Sequence, residues 1–293
     1  MPLDPRAKRL LDMLALAATP VETTALRREG FDKLIAMAER KGPDMWVENF
    51  HAGELILRLY RPHEGAKAML VFFHGGGLVA GSLDTHDNLC RKLAAASGVN
   101  ILSVGYRRAP EAKFPAQIED AIKALNWASD NCRRLFIDPT RIALGGDSAG
   151  ALIAILALSQ SELHIAALLL LCPVLDLNYG QGSRQEFANG YLIDATTIAR
   201  DIADCLGPQK FLPSAFDVAK SANLPPTIIH SAEYDPFHDE AFAFAKMLQA
   251  RNIAVQHTSH KGMIHSFYML GAFIPQAEKA IAIIGQELAE TLS

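Results

Sequence analysis

The pentapeptide Gly146-Asp147-Ser148-Ala149-Gly150 sets a hydroxyl between two glycines. It lies between a short apolar run, Arg141-Ile142-Ala143-Leu144-Gly145, and a longer one opening at Ala151. A serine in so tight a strand-to-helix turn is strained and exposed, and side chains two positions away would collide with the neighbouring strand or helix. The helix start adds a positive dipole end and backbone N–H groups beside the hydroxyl, so the chemistry suggested is nucleophilic attack. A plain N-cap flanked by helpful glycines is the competing explanation.

A serine nucleophile in acyl transfer needs donors for the oxyanion that forms, and His74-Gly75-Gly76-Gly77 directly follows the apolar run AMLVFF. We assign the donors as the N–H groups of Gly75, Gly76 and Ala149, the last following the serine itself. Gly75-x-Gly77-x-x-Ala80 also fits a dinucleotide fingerprint. However, Tyr106-Arg107-Arg108 stands where the next strand should end in a ribose-binding acid. His74 is expected to brace the loop rather than act as base or metal ligand.

The serine also needs a general base, and the base needs a carboxylate to hold its tautomer. Acids gather after the apolar run PTIIHSAEY, as Glu233, Asp235 and Asp239. Asp235 is best placed, because Glu233 still lies on the strand and Asp239 and Glu240 suit the first turn of the next helix. His265, reached from the run IAVQHTSH through a glycine-containing loop, is assigned as base. His257 and His260 read as strand residues, and His238 beside the acid loop is the competitor. His51, His63, His86 and His164 are expected to cap or hydrate the surface.

The elements that must position these groups alternate. MWVENF, ELILRLY, AMLVFFH and VNILSVGY read as strands, followed by a helix after Pro115, the strand RIALGG, a helix from Ser148 and the strand AALLLLCP. After an interruption come PTIIHSAEY as strand, DEAFAFAKMLQARN as helix, IAVQHTSH as strand and a closing helix. Strand followed by helix, repeated, predicts a parallel sheet covered on both faces. Residues 1–44 are instead helical, with a stop at Lys41-Gly42-Pro43, and residues 177–220 look inserted and partly helical.

The 293 residues, half of them hydrophobic, can bury a large core, and a net charge of -4 with no basic run speaks against nucleic acid. Asp12 interrupts the N-terminal apolar run, and Leu10, Leu11, Leu14 and Ala18 suit one face of a helix rather than a signal peptide. No window reaches the roughly 18–20 apolar residues of a membrane span. Cys90, Cys132, Cys172 and Cys205 are scattered, without zinc-ligand spacing, and read as thiols of a soluble cytoplasmic protein.

With HGGG, GDSAG, YDPFHDE and GMIHSF in that order, the chain resembles the bacterial hormone-sensitive-lipase family of esterases. The likeness extends to GSLDTHDNLCRKLA, Tyr106 to Glu111, Phe114-Pro115-Ala116 and Asp138-Pro139, covering most of residues 68–290. It departs from the family's usual wording at Leu78, Ser82, Ala151, His238 and Ser266, none of which removes a chemical role. The resemblance implies an α/β-hydrolase fold: a mostly parallel eight-stranded sheet flanked by helices in residues 45–293, capped by residues 1–44 and the 177–220 insertion. Its motifs carry over as Ser148 nucleophile, Asp235 acid, His265 base, and Gly75, Gly76 and Ala149 oxyanion donors, with Asp147 a structural neighbour of the turn. The implied activity is hydrolysis of short- to medium-chain esters with no metal or organic cofactor, and a homodimer is left open. Amide, thioester or lactone hydrolysis by the same triad, and a receptor role on the same scaffold, are the alternatives.

Overall fold

The computed structural model describes residues 1–16, 23–38, 40–178, 180, 182–206 and 213–293. The eight apolar runs form β1 (Trp46–Ala52), β2 (Leu55–Arg61), β3 (Met69–Phe73), β4 (Asn100–Gly105), β5 (Ile142–Asp147), β6 (Ala167–Leu171), β7 (Thr227–Tyr234) and β8 (Val255–Ile264). They make one sheet in the order β1-β2-β4-β3-β5-β6-β7-β8. Only β2 runs against the rest, pairing antiparallel with both β1 and β4.

Central strands read as unbroken apolar runs because both faces are covered. In β3 every residue is buried, with Met69, Val71 and Phe73 facing one core and Leu70 and Phe72 the other. The first core is closed by α4 (Ala116–Leu135), α5 (Ala149–Leu158), α8 (Ala215–Ser221) and α9 (His238–Ala250). The second is closed by α3 (Asp87–Ser97) and α10 (Gln276–Thr291), together with α1 (Pro5–Leu16) and α2 (Thr24–Ala38).

The segment between β6 and β7 holds α6 (Ser183–Glu186), α7 (Ala195–Leu206) and α8. Within it, α8 buries Ala215, Val218 and Ala219 in the core beside α5. The expected reach of the first helix to Ala18 lies outside the described residues. Among those described, no helix is long and apolar enough to cross a membrane.

Two expectations change. β8 does not stop at His260 but continues to Ile264, with a register irregularity opposite Ala232 and Tyr234, so the anticipated glycine loop is strand. Gly262 takes φ +72 there, a left-handed geometry that glycine adopts without steric cost. Nor is His86 at the surface: it is fully buried at the start of α3.

Candidate active site

Ser148 is the single residue between β5 and α5, at φ 53 and ψ -122. Non-glycine residues seldom occupy this region, at a cost of roughly 1–3 kcal/mol, unless the surroundings impose it. Here they do. The Ser148 N–H donates to the Leu171 carbonyl at 2.8 Å, and its own carbonyl accepts from Val174 N–H at 3.1 Å, tying the turn to the end of β6. A Cβ on Gly150 would run into the Phe73 carbonyl, and one on Gly146 would lie 2.6 Å from the same oxygen.

Asp235 and His265 are the first residues after β7 and β8. His265 Nδ1 lies 2.7 Å from Asp235 Oδ2, and Nε2 lies 3.0 Å from Ser148 Oγ. All three side chains are buried. The other oxygen of Asp235 accepts from Phe237 N–H at 2.8 Å, fixing the carboxylate plane. The competitors are engaged elsewhere. Glu233 accepts from Gly262 N–H at 2.7 Å, Asp239 accepts from Ser183 N–H at 2.9 Å, and His238 Nδ1 faces the Ala232 carbonyl at 3.1 Å. His257 pairs with Ser231, and His260 with His230, which also meets Glu287.

The glycine loop requires a correction. Gly75 N–H donates to Asp147 Oδ1 at 2.8 Å, with His86 Nε2 at 3.4 Å, so it is turned toward the elbow and not toward a ligand. Gly76 and Gly77, at φ +114 and +67, line the cavity beside Ser148 and Ala149 instead. Asp147, structural as expected, thereby couples the glycine loop to the elbow. As the first residue of α5, Ala149 has an N–H with no partner inside the helix.

His74 braces this loop. Its ring stacks on Tyr106 at 4.2 Å between centroids, Tyr106 Oη donates to the His74 carbonyl at 2.7 Å, and His74 Nδ1 sits 2.9 Å from the Gly75 carbonyl. Burial, reinforced by neighbouring His86, lowers the His74 pKa to about 3. The unfolded chain takes up this proton near pH 6.5 and the folded chain does not. Stability is therefore full above about pH 6.5 and falls as pH drops toward 3, by about 1.4 kcal/mol per pH unit for one such group. Burial lowers His257 and His260 as well, each to about 4. Urea midpoints between pH 7 and 5 should therefore decline steadily, and His74→Gln should flatten the slope.

A family model for the alpha/beta hydrolase fold matches residues 70–269. The chain belongs to this family, that of the hormone-sensitive-lipase-like hydrolases. Among its relatives, ethyl acetate hydrolase of Pseudomonas putida is 36% identical over 254 residues, which is 81% of this chain and 79% of the relative. An arylesterase of Saccharolobus solfataricus is 31% identical over 305 residues, 97% of each chain. The solved structure of a hyperthermophilic esterase from the archaeon Pyrobaculum calidifontis superposes with a TM-score of 0.91 at 33% identity, covering 100% of both chains.

In this hydrolase, Ser148 and His265 open into a cavity of about 510 Å³. Its walls are chiefly aliphatic and aromatic, from Leu14 of α1, Phe31 and Leu34 of α2, Ile198 and Ile202 of α7, and Met269. Three features escaped the sequence reading. The Arg184 guanidinium lies 4.3 Å from the centre of the Phe237 ring, which lies 5.2 Å from the His265 ring. Arg184 also pairs with buried Glu240 at 2.7 Å, joining α6 to α9. Finally, the Cys172 thiol lies within 4.8 Å of ligand atoms of both Asp235 and His265. Buried as it is, this thiol is held well above its ordinary pKa, and so protonated.

Proposed function

We propose that the protein is a carboxylic ester hydrolase in which Ser148 is the nucleophile, His265 the base and Asp235 its partner. The observation that carries this is the buried relay Asp235–His265–Ser148, with contacts of 2.7 and 3.0 Å, opening into a mainly apolar cavity. His265 takes the serine proton as Oγ attacks the ester carbonyl, and Asp235 stabilises the imidazolium formed. The oxyanion is held by the N–H groups of Gly76, Gly77 and Ala149. His265 then protonates the departing alcohol, and water repeats the sequence on the acyl-enzyme.

A cavity of this volume suits short to medium acyl chains, in line with the ester hydrolases to which the chain is similar. Residues 1–44 and 177–220 act as the cap, a role supported by the contributions of α1, α2 and α7 to the cavity wall. The four buried cysteines, none of them in a disulfide, support a reducing, cytoplasmic setting.

The test is a p-nitrophenyl ester series from acetate to palmitate, for which kcat/KM should peak at eight carbons or fewer, in the range of about C2 to C8 that such a pocket holds. A maximum at palmitate would overturn the acyl assignment. In the same assay, His265→Ala should lose at least about a thousandfold in kcat, while His238→Ala stays within about tenfold of wild type. Equal losses would unseat His265 as base.

A further inference from the structure

Phe237 touches two members of the relay. Its N–H donates to Asp235 Oδ1 at 2.8 Å, and its buried ring lies 5.2 Å from the His265 ring at an interplanar angle of 54°. That ring meets a cation from the inserted segment, the Arg184 guanidinium of α6, 4.3 Å from its centre. The cation has little freedom. Arg184 Nε donates to Glu240 Oε1 at 2.7 Å and Nη2 donates to the Asp176 carbonyl at 2.9 Å. Glu240 Oε2 in turn accepts from the N–H groups of Leu175 and Asp176 at 3.0 Å each. Next to Arg184, Ser183 exchanges hydrogen bonds with Asp239 and donates to the Pro236 carbonyl at 2.8 Å, so α6 grips the chain on either side of Phe237.

Stability alone is a poor reason for this arrangement. Taking both charges out of water is costly, and a well-packed apolar pair of similar volume is often as stable or more so. What the pair fixes is geometry: a planar guanidinium bonded at two of its nitrogens stacks on an aromatic ring, and the attraction is strongest where both are desolvated. Resting on the ester-hydrolase reading above, we propose that Arg184 is a positioning residue for the reaction. By fixing the Phe237 ring it holds the His265 imidazole where Nδ1 meets Asp235 and Nε2 meets Ser148. Arg184 is not among the groups lining the cavity, so its effect belongs to kcat and not to substrate binding. Burial raises the Glu240 pKa to about 7 against the pull of Arg184, so removing the guanidinium alone would also change the charge of Glu240 at neutral pH.

The experiment is a mutant cycle on the turnover of p-nitrophenyl acetate. Arg184→Met, made together with Glu240→Gln so that no unpaired charge stays buried, should lower kcat by at least about tenfold with KM within about threefold of wild type. Displacing a reacting group by roughly 1 Å costs up to about a hundredfold, which sets the scale. Phe237→Leu should lose a comparable factor. Adding it to the neutral pair should cost less than about threefold more, since both changes release the same ring. In proton NMR, the downfield resonance of the hydrogen between His265 Nδ1 and Asp235 should shift or vanish through exchange in these variants, a change that lower fold stability alone does not produce. Should the neutral pair fail to fold, Arg184→Lys keeps a cation for Glu240 without the planar fork and carries the same expectations. A kcat loss below about tenfold in folded protein, a loss carried by KM, losses that multiply in the cycle, or an unmoved resonance would each overturn the proposal. If wild type hydrolyses no p-nitrophenyl ester, it is the ester-hydrolase reading that fails, and the resonance alone then decides the place of Arg184.

Discussion

Replacing Ser148 by alanine is expected to lower kcat for p-nitrophenyl butyrate by about 10⁴- to 10⁶-fold, the scale on which serine hydrolases lose activity without their nucleophile. The protein should still fold. Among the described residues the side-chain bond lost is the 3.0 Å contact to His265, and the turn is held by backbone bonds to Leu171 and Val174 that alanine keeps. The backbone at φ 53 is as strained for alanine as for serine. The melting temperature should therefore stay within a few degrees of wild type. Steady-state turnover together with a thermal melt decides the matter. Residual activity within tenfold of wild type would remove Ser148 from the mechanism.

The second large effect is expected at Asp147, which touches no substrate. Asp147→Ala removes the 2.8 Å acceptor of the buried Gly75 N–H, leaving it His86 Nε2 at 3.4 Å, and deprives His86 Nε2 of a partner at 3.2 Å. Each such loss costs roughly 1–3 kcal/mol, and each kcal/mol lowers the melting temperature by roughly 2–4 °C in a chain of this order of size. Because the same carboxylate aligns the loop bearing Gly76 and Gly77, kcat should also fall by about 10²–10³, the measured scale for one oxyanion donor. Asp147→Asn keeps an acceptor for Gly75 and should recover much of both losses. An alanine variant that melts lower with unchanged kcat would mean that Asp147 stabilises the fold without positioning the donors.

The strands and the three groups of the relay could be read from the chain because their determinants are local. An apolar run such as Met69–Phe73 reports a strand buried on both faces, and a serine flanked by glycines reports its own turn. Asp235 and His265 could be found because each directly follows a strand. What escaped depends on partners distant in sequence. The direction of the Gly75 N–H is decided by a carboxylate 72 positions later. His86, set among Asp84, Thr85 and Asp87, looks like a surface residue, yet the packing of α3 buries it against His74 and Phe31. The extension of β8 past His260 depends on β7 continuing beside it to Tyr234. Arg184 and Glu240 stand 56 positions apart on helices whose charged residues otherwise suggest solvent.

Ser148, Asp235 and His265 each follow a different strand of one sheet, so their mutual distances are set by interstrand spacing. The groups lining the cavity from α1, α2 and α7 belong to other elements. Reaction and selection are thus separable by engineering. Residues such as Leu14, Leu34 and Ile198 can be exchanged to admit a different ester while the relay keeps its dimensions, so directed evolution of this scaffold should find new substrates in the roof and seldom in the floor.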